Sequence, residues 1–136
     1  MNNQLSQIIW IRVVLTTIVV FVVALITVTL IITGYAAYLG FQARGAPDVD
    51  MIDAFAEQYA PLLSSIFLIL FTFFGARHAA RRVEGAGQIN ALAVGVLSGL
   101  VHAGSNFANL LDLNALPVSI LAIGAGWLGS KISPKK

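Results

Sequence analysis

The chain has 136 residues, of which 58% are hydrophobic and only 10% charged, with no cysteine and a formal net charge of +2. A soluble domain carries roughly 25% charged residues, and so short a chain cannot fold this much apolar side chain away from water. Composition therefore excludes an ordinary soluble domain, disulfides and thiolate metal sites, and leaves lipid as the natural solvent.

The first apolar segment covers about residues 8–38 and contains the run "VVLTTIVVFVVALITVTLII". It is far longer than the roughly 7–15-residue apolar core of a cleaved signal peptide, and it lacks a basic leader, so it reads as a retained transmembrane helix. Arg12 lies about one turn inside the run, near enough to the end to snorkel to the interface. The alternative is a partner within the bundle, for which a carbonyl or Asn90 would suit.

The loop "FQARGAPDVDMIDAFAEQYAP" follows. Asp48 is the expected N-cap of a short helix over about 48–60. Ile52, Phe55, Ala56 and Tyr59 form its apolar face, and Asp50, Asp53 and Glu57 its acidic one. This segment is expected either to lie on the membrane surface or to run into the second crossing at Pro61. Its acids read as a solvated face in preference to a cation site or a docking face for a basic partner, because the glycine-centred pattern of a calcium loop is missing.

Three further segments approach the roughly 20 apolar residues that a helical crossing needs. They are about 61–80, 89–111 and 115–132. Strands are excluded because the runs are long and an open sheet edge cannot persist in hydrocarbon. The expectation is one domain over residues 1–136, an all-α integral membrane protein with four transmembrane helices.

Orientation follows from the connecting charges. Arg12, Arg77, Arg81, Arg82, Lys131, Lys135 and Lys136 fall on one side and, with Glu84, sum to +6. Arg44, Asp48, Asp50, Asp53, Glu57 and Asp112 fall on the other and sum to −4. A Lys/Arg excess marks the cytoplasmic face, so both termini are expected there, in a bacterial plasma membrane. Trp10 and Trp127 near one interface, and Tyr35, Tyr38 and Tyr59 near the other, agree with this layout. Arg77, Arg81 and Arg82 are candidates for contact with anionic lipid headgroups, beside their plainer role as a topology signal.

The third crossing holds the candidate functional residues. At about 100° per residue, Ser98, His102, Ser105, Asn106 and Asn109 share one sector of the helix. Ala91 and Gly95 fall in that sector, and Gly99 and Ala103 lie along its edge. Small residues every fourth position allow two backbones to approach closely in lipid. Ala122 and Gly126 carry the matching series on the fourth crossing, so crossings three and four are expected to pack as a hairpin.

The polar stripe admits three roles: interhelical hydrogen bonds, a hydrated pathway, or a ligand for a chlorophyll or haem through His102. His78 lies too near the other end to complete a bis-histidine site. No cofactor or metal is called for by any motif, and no catalytic constellation or nucleic-acid-binding pattern is present.

Gly75, Arg81, Arg82, Gly85, Gly95 and Gly99 give the chain a resemblance, over about residues 62–100, to a family of small four-helix bacterial membrane proteins of unknown function. The family's usual glycine pair before the arginines is absent here, and the resemblance implies no activity. Small multidrug exporters and dual-topology fluoride channels are similar in size. The first need an embedded glutamate and the second balanced loop charges, and this chain offers neither.

The expected role is therefore non-catalytic: a homo-oligomer or an accessory subunit of a larger membrane complex, surrounded by membrane lipids. The competing expectation is a channel or transporter with its pathway along the third helix, and the third is a pigment- or haem-carrying subunit.

Overall fold

The computed structural model describes residues 8–81, 86–105 and 115–132. They form four helices: α1 (Trp10–Ala43), α2 (Val49–Arg81), α3 (Gly87–Ser105) and α4 (Ala115–Lys131). Among the described residues, α1 and α2 are the two helices long and apolar enough to cross a membrane. At 34 and 33 residues, each is about 50 Å long, well beyond a hydrocarbon core of about 30 Å. The glycine-rich α3 and α4 are shorter, with 19 and 17 residues.

α1 and α2 run antiparallel: Gly75 sits against Thr16 and Val20 near one end, and Tyr35 stacks on Phe55 near the other, with ring centroids 4.1 Å apart. The turn between them closes on Arg44, whose φ of 51° is the left-handed conformation common just past a helix end. Gly45 donates its N–H back to the Gly40 carbonyl at 3.2 Å.

Asp48 caps α2, its Oδ1 accepting the N–H groups of Asp50 and Met51 at 3.0 and 3.4 Å. Of the two arrangements expected for residues 48–60, the structure has the one in which the segment runs into the second helix at Pro61, and not a separate surface helix. Residues from Val49 onward are the first turns of α2, which passes through Pro61 without ending. The physical reason is the length of α1. Its overhanging end gives the apolar face of this segment a protein partner, with Tyr35, Phe55 and Tyr59 forming a continuous aromatic stack. A helix that can bury that face against α1 has no need of the membrane surface.

α3 and α4 form an antiparallel pair at backbone contact. A Cβ placed on Gly126 would stand 2.7 Å from Gly95 Cα, and one on Gly95 would stand 2.9 Å from Gly126 Cα. Ser119 Oγ donates to the Gly99 carbonyl at 3.0 Å. α4 lies parallel to α2, with Gly129 pressed on the backbone of Phe73 and Arg77. Side chains at these positions would hold the helices apart, and glycine removes them.

Asn90, fully buried, ties α3 to the start of α1. Its Oδ1 accepts the Ile9 N–H at 2.8 Å, and its Nδ2 donates to the Ala86 carbonyl at 2.9 Å. No side chain of α1 caps its own first turn, so Asn90 supplies from another helix what a local Ser or Asp normally would.

The charges separate to two ends of the bundle. Arg12, Arg77, Arg81 and Lys131 stand at the end where α1 and α3 begin, the basic end. Arg44, Asp48, Asp50, Asp53 and Glu57 stand at the end where α1 turns into α2, the acidic end. Trp127 carries the Lys131 ammonium 5.6 Å over its ring at the basic end.

Candidate functional site

A cleft of about 570 Å³ opens among all four helices in the acidic half of the bundle. Phe21 and Leu25 of α1 and Val118 of α4 give it apolar walls, and Ala24 and Leu68, both buried, lie at its floor. Its polar lining comes from Glu57, Ser64 and Ser65 of α2 and from His102 and Ser105 of α3.

The local sequence explains the α2 side. Glu57, Pro61, Ser64, Ser65 and Leu68 recur at intervals of three and four, so one face of an uninterrupted helix presents them together. Proline lacks an N–H, so the carbonyl one turn earlier, that of Glu57, loses its helical partner on the face that lines the cleft. Ser65 turns its hydroxyl back to the Pro61 carbonyl at 2.9 Å. Among the described residues, Glu57 is the one charged residue lining the cleft.

The stripe expected on the third crossing divides. His102, half-buried, and Ser105, exposed, line the cleft, and Ser105 Oγ donates to the His102 carbonyl at 2.8 Å. Ser98 lies one turn below His102, fully buried, with no hydrogen-bond partner for its hydroxyl. Asn106 and Asn109 lie outside the described residues.

Of the small residues, Ala91, Gly95, Gly99, Ala122 and Gly126 are buried in the α3–α4 contact, while Ala103 is half-buried beyond it. That series is thus occupied within the chain.

The basic candidates also divide. Arg81 is exposed at the end of α2, whereas Arg77 is half-buried, its Nε enclosed without a hydrogen-bond partner. Arg82 lies outside the described residues. His78 lines a separate apolar groove of about 400 Å³ between α1 and α2, together with Leu15, Val19, Phe71 and Phe74. The two histidines therefore face different spaces. Among the described residues, no group of three His, Cys, Asp or Glu side chains could hold a metal ion.

The sequence alone does not bring Glu57, Ser64, Ser65 and Asn90 together: it offers Glu57 as an acid of the 48–60 segment and Asn90 as a candidate partner for Arg12, and singles out neither serine. The spacing of "EQYAPLLSSIFL" carries a signal for the first three, once α2 is known to continue through the proline. The Asn90–Ile9 bond joins residues 81 apart and leaves no local trace.

Comparison of the chain with family models, curated proteins and solved structures gives no match. Function has to be argued from these residues alone.

Proposed function

We propose that the chain is a non-catalytic integral membrane protein with four crossings, and that its cleft takes up a small cation from the outer side of the membrane. Two features support the crossings: the apolar exterior of α1 and α2, and the segregation of basic from acidic ends. By the positive-inside rule the basic end and both termini are cytoplasmic, and the acidic end faces out. The observation that carries the uptake reading is Glu57 in the same cleft as Ser64, Ser65, His102 and Ser105. A carboxylate in a cleft that also carries neutral oxygen and nitrogen groups, at the end of the bundle that holds Asp48, Asp50 and Asp53, attracts cations.

Membrane lipids are the immediate partners in this reading. The groove over Phe71, Phe74 and Val19 suits an acyl chain, and Arg81 near its basic end adds about 1 kcal/mol of attraction for an anionic headgroup. A second reading, a homo-oligomer or accessory subunit, is favoured by Gly34 and Gly104, which face open space outside the bundle and could admit a neighbouring helix.

The chain has no cysteine, so Ser65→Cys or Ser105→Cys provides a single thiol in the cleft. With protein in sealed vesicles, both thiols should react faster with a cationic methanethiosulfonate reagent than with its anionic counterpart. Glu57→Gln should erase that preference. Thiols that react with neither reagent, or a preference indifferent to Glu57, would overturn the uptake reading.

A further inference from the structure

The charged and the apolar linings of the cleft lie at different depths. Glu57 stands at its outer end, less than one turn below Phe55 and the aromatic stack on Tyr35. Counting about 1.5 Å per residue along α2, Ser65 lies about 12 Å below Glu57 and the buried Leu68 about 16 Å below it. α3 rises from the contact of Gly87 with Ala80, which sets His102 level with Ser65, and Ser105 about 7 Å below Glu57. Gly75 is level with Thr16 and Val20, so Leu25 stands level with Leu68, and Phe21 deeper. The carboxylate is therefore at the mouth, and an apolar trough runs beneath it toward the middle of the bundle.

An inorganic ion uses only the mouth of such a cleft. A calcium ion asks for six to eight oxygen ligands, and among the described residues no group of three His, Cys, Asp or Glu side chains is assembled. A monovalent ion that kept its water would gain nothing from Phe21, Leu25, Leu68 and Val118. Covering those side chains is favourable only for a ligand with an apolar body. The cleft, at about 570 Å³, falls in the range of about 300–1,000 Å³ that holds small organic molecules, in sites that are mostly apolar with a few placed polar groups.

We propose that the cation of the uptake reading, on which this inference rests, is organic and amphipathic: an alkylammonium, in its simplest form, with its charged head at Glu57 and its chain laid down the cleft between Leu25, Leu68 and Val118. An ammonium group has three N–H donors. The Glu57 carboxylate accepts one, and the Glu57 carbonyl, which Pro61 deprives of its helical partner, accepts another. Water at the mouth accepts the third. The head thus stays at the outer end of the bundle, while the chain is sheltered among apolar side chains.

The test uses full-length Ser105→Cys protein in sealed vesicles and a neutral methanethiosulfonate, whose approach owes nothing to charge. n-Octylammonium should slow the reaction severalfold. The free concentration that half-protects should rise about fourfold for each methylene removed between octyl and butyl, the factor that burying a methylene supplies. Sodium, and octanoate and 1-octanol of the same chain length, should leave the rate unchanged. Glu57→Gln should lose the protection by octylammonium. A Phe41→Cys thiol, exposed at the outer end of α1 and outside the cleft, should react at one rate with and without it. A Ser105→Cys thiol that prefers cationic reagents yet is left open by octylammonium, or is protected equally by sodium, would overturn the organic ligand and leave the uptake reading standing. Equal protection by 1-octanol, protection that survives Glu57→Gln, or equal slowing at position 41 would overturn the placing of the head on Glu57. A thiol closed to the neutral reagent before any ligand is added would mean that lipid fills the cleft, and would overturn both.

Discussion

Gly126→Leu is expected to break the α3–α4 pair, seen as a large fall in the melting temperature of the detergent-solubilised protein. Its first side-chain atom alone would stand 2.7 Å from Gly95 Cα, 3.0 Å from Gly95 N and 3.1 Å from the Ala91 carbonyl. All three are backbone atoms, so no rotamer change relieves the overlap. Overpacking a tight interior costs about 1–3 kcal/mol, and more where the obstacle is main chain. The two helices can accommodate leucine only by separating along the whole small-residue seam, which also strains the Ser119–Gly99 hydrogen bond. Gly124→Leu on the same helix is the control, because a Cβ there meets nothing within 4 Å. It should melt near the parent. Equal melting of both variants and parent would mean that α3 and α4 are not held by backbone contact.

The second large effect is expected from Ile26→Asp. Ile26 is 51% exposed near the middle of α1, on a helix whose exterior is aliphatic on turn after turn. In water, replacing an exposed isoleucine by aspartate would cost little and improve solubility. In hydrocarbon, an aspartate at the centre of a crossing costs about 3 kcal/mol on insertion scales, in addition to the lost isoleucine contribution. The variant should therefore show a reduced fraction of alkali-resistant, membrane-embedded protein after expression. Full insertion at the parental level would place that face of α1 in water or against protein.

The four helices were legible because the chemistry that defines them is local. An apolar run such as "VVLTTIVVFVVALITVTLII" has no other economical reading, and the four segments expected from hydropathy correspond to four helices in the described residues. The small-residue spacing was equally legible, since Gly95 and Gly126 show their purpose in sequence before it is known that a Cβ on Gly95 would stand 2.9 Å from Gly126 Cα. The hairpin expected of the third and fourth segments is the pair that the structure shows.

The loop before Pro61 was legible in its cap and its two faces, and open in its end, which was expected either on the membrane surface or running on into the second helix. Proline and acids argue for a boundary, but the decision belonged to Tyr35, a residue 26 positions before Pro61 that stacks on Phe55. The cleft was hidden for the same reason. Glu57 and His102 line one cleft only because α2 runs on through Pro61 and α3 rises beside it. Periodicity along one segment says which residues share a face, and nothing about which face another helix will bring opposite.

The arrangement as a whole turns on two environments at one depth. Counting from the contact of Gly75 with Thr16 and Val20, Ile26 and Ser65 lie within about 3 Å of the same level. One faces outward from α1, and the other lines the cleft. Nitroxides placed singly at these positions in bilayer-reconstituted protein can be probed by collision with oxygen, which concentrates in hydrocarbon, and with a neutral nickel chelate, which stays in water. The label at position 26 should collide with oxygen and be shielded from nickel, while the label at position 65 should show the reverse. Nickel access at position 26, or a position 65 as oily as position 26, would contradict the lipid-facing exterior and the water-filled cleft together.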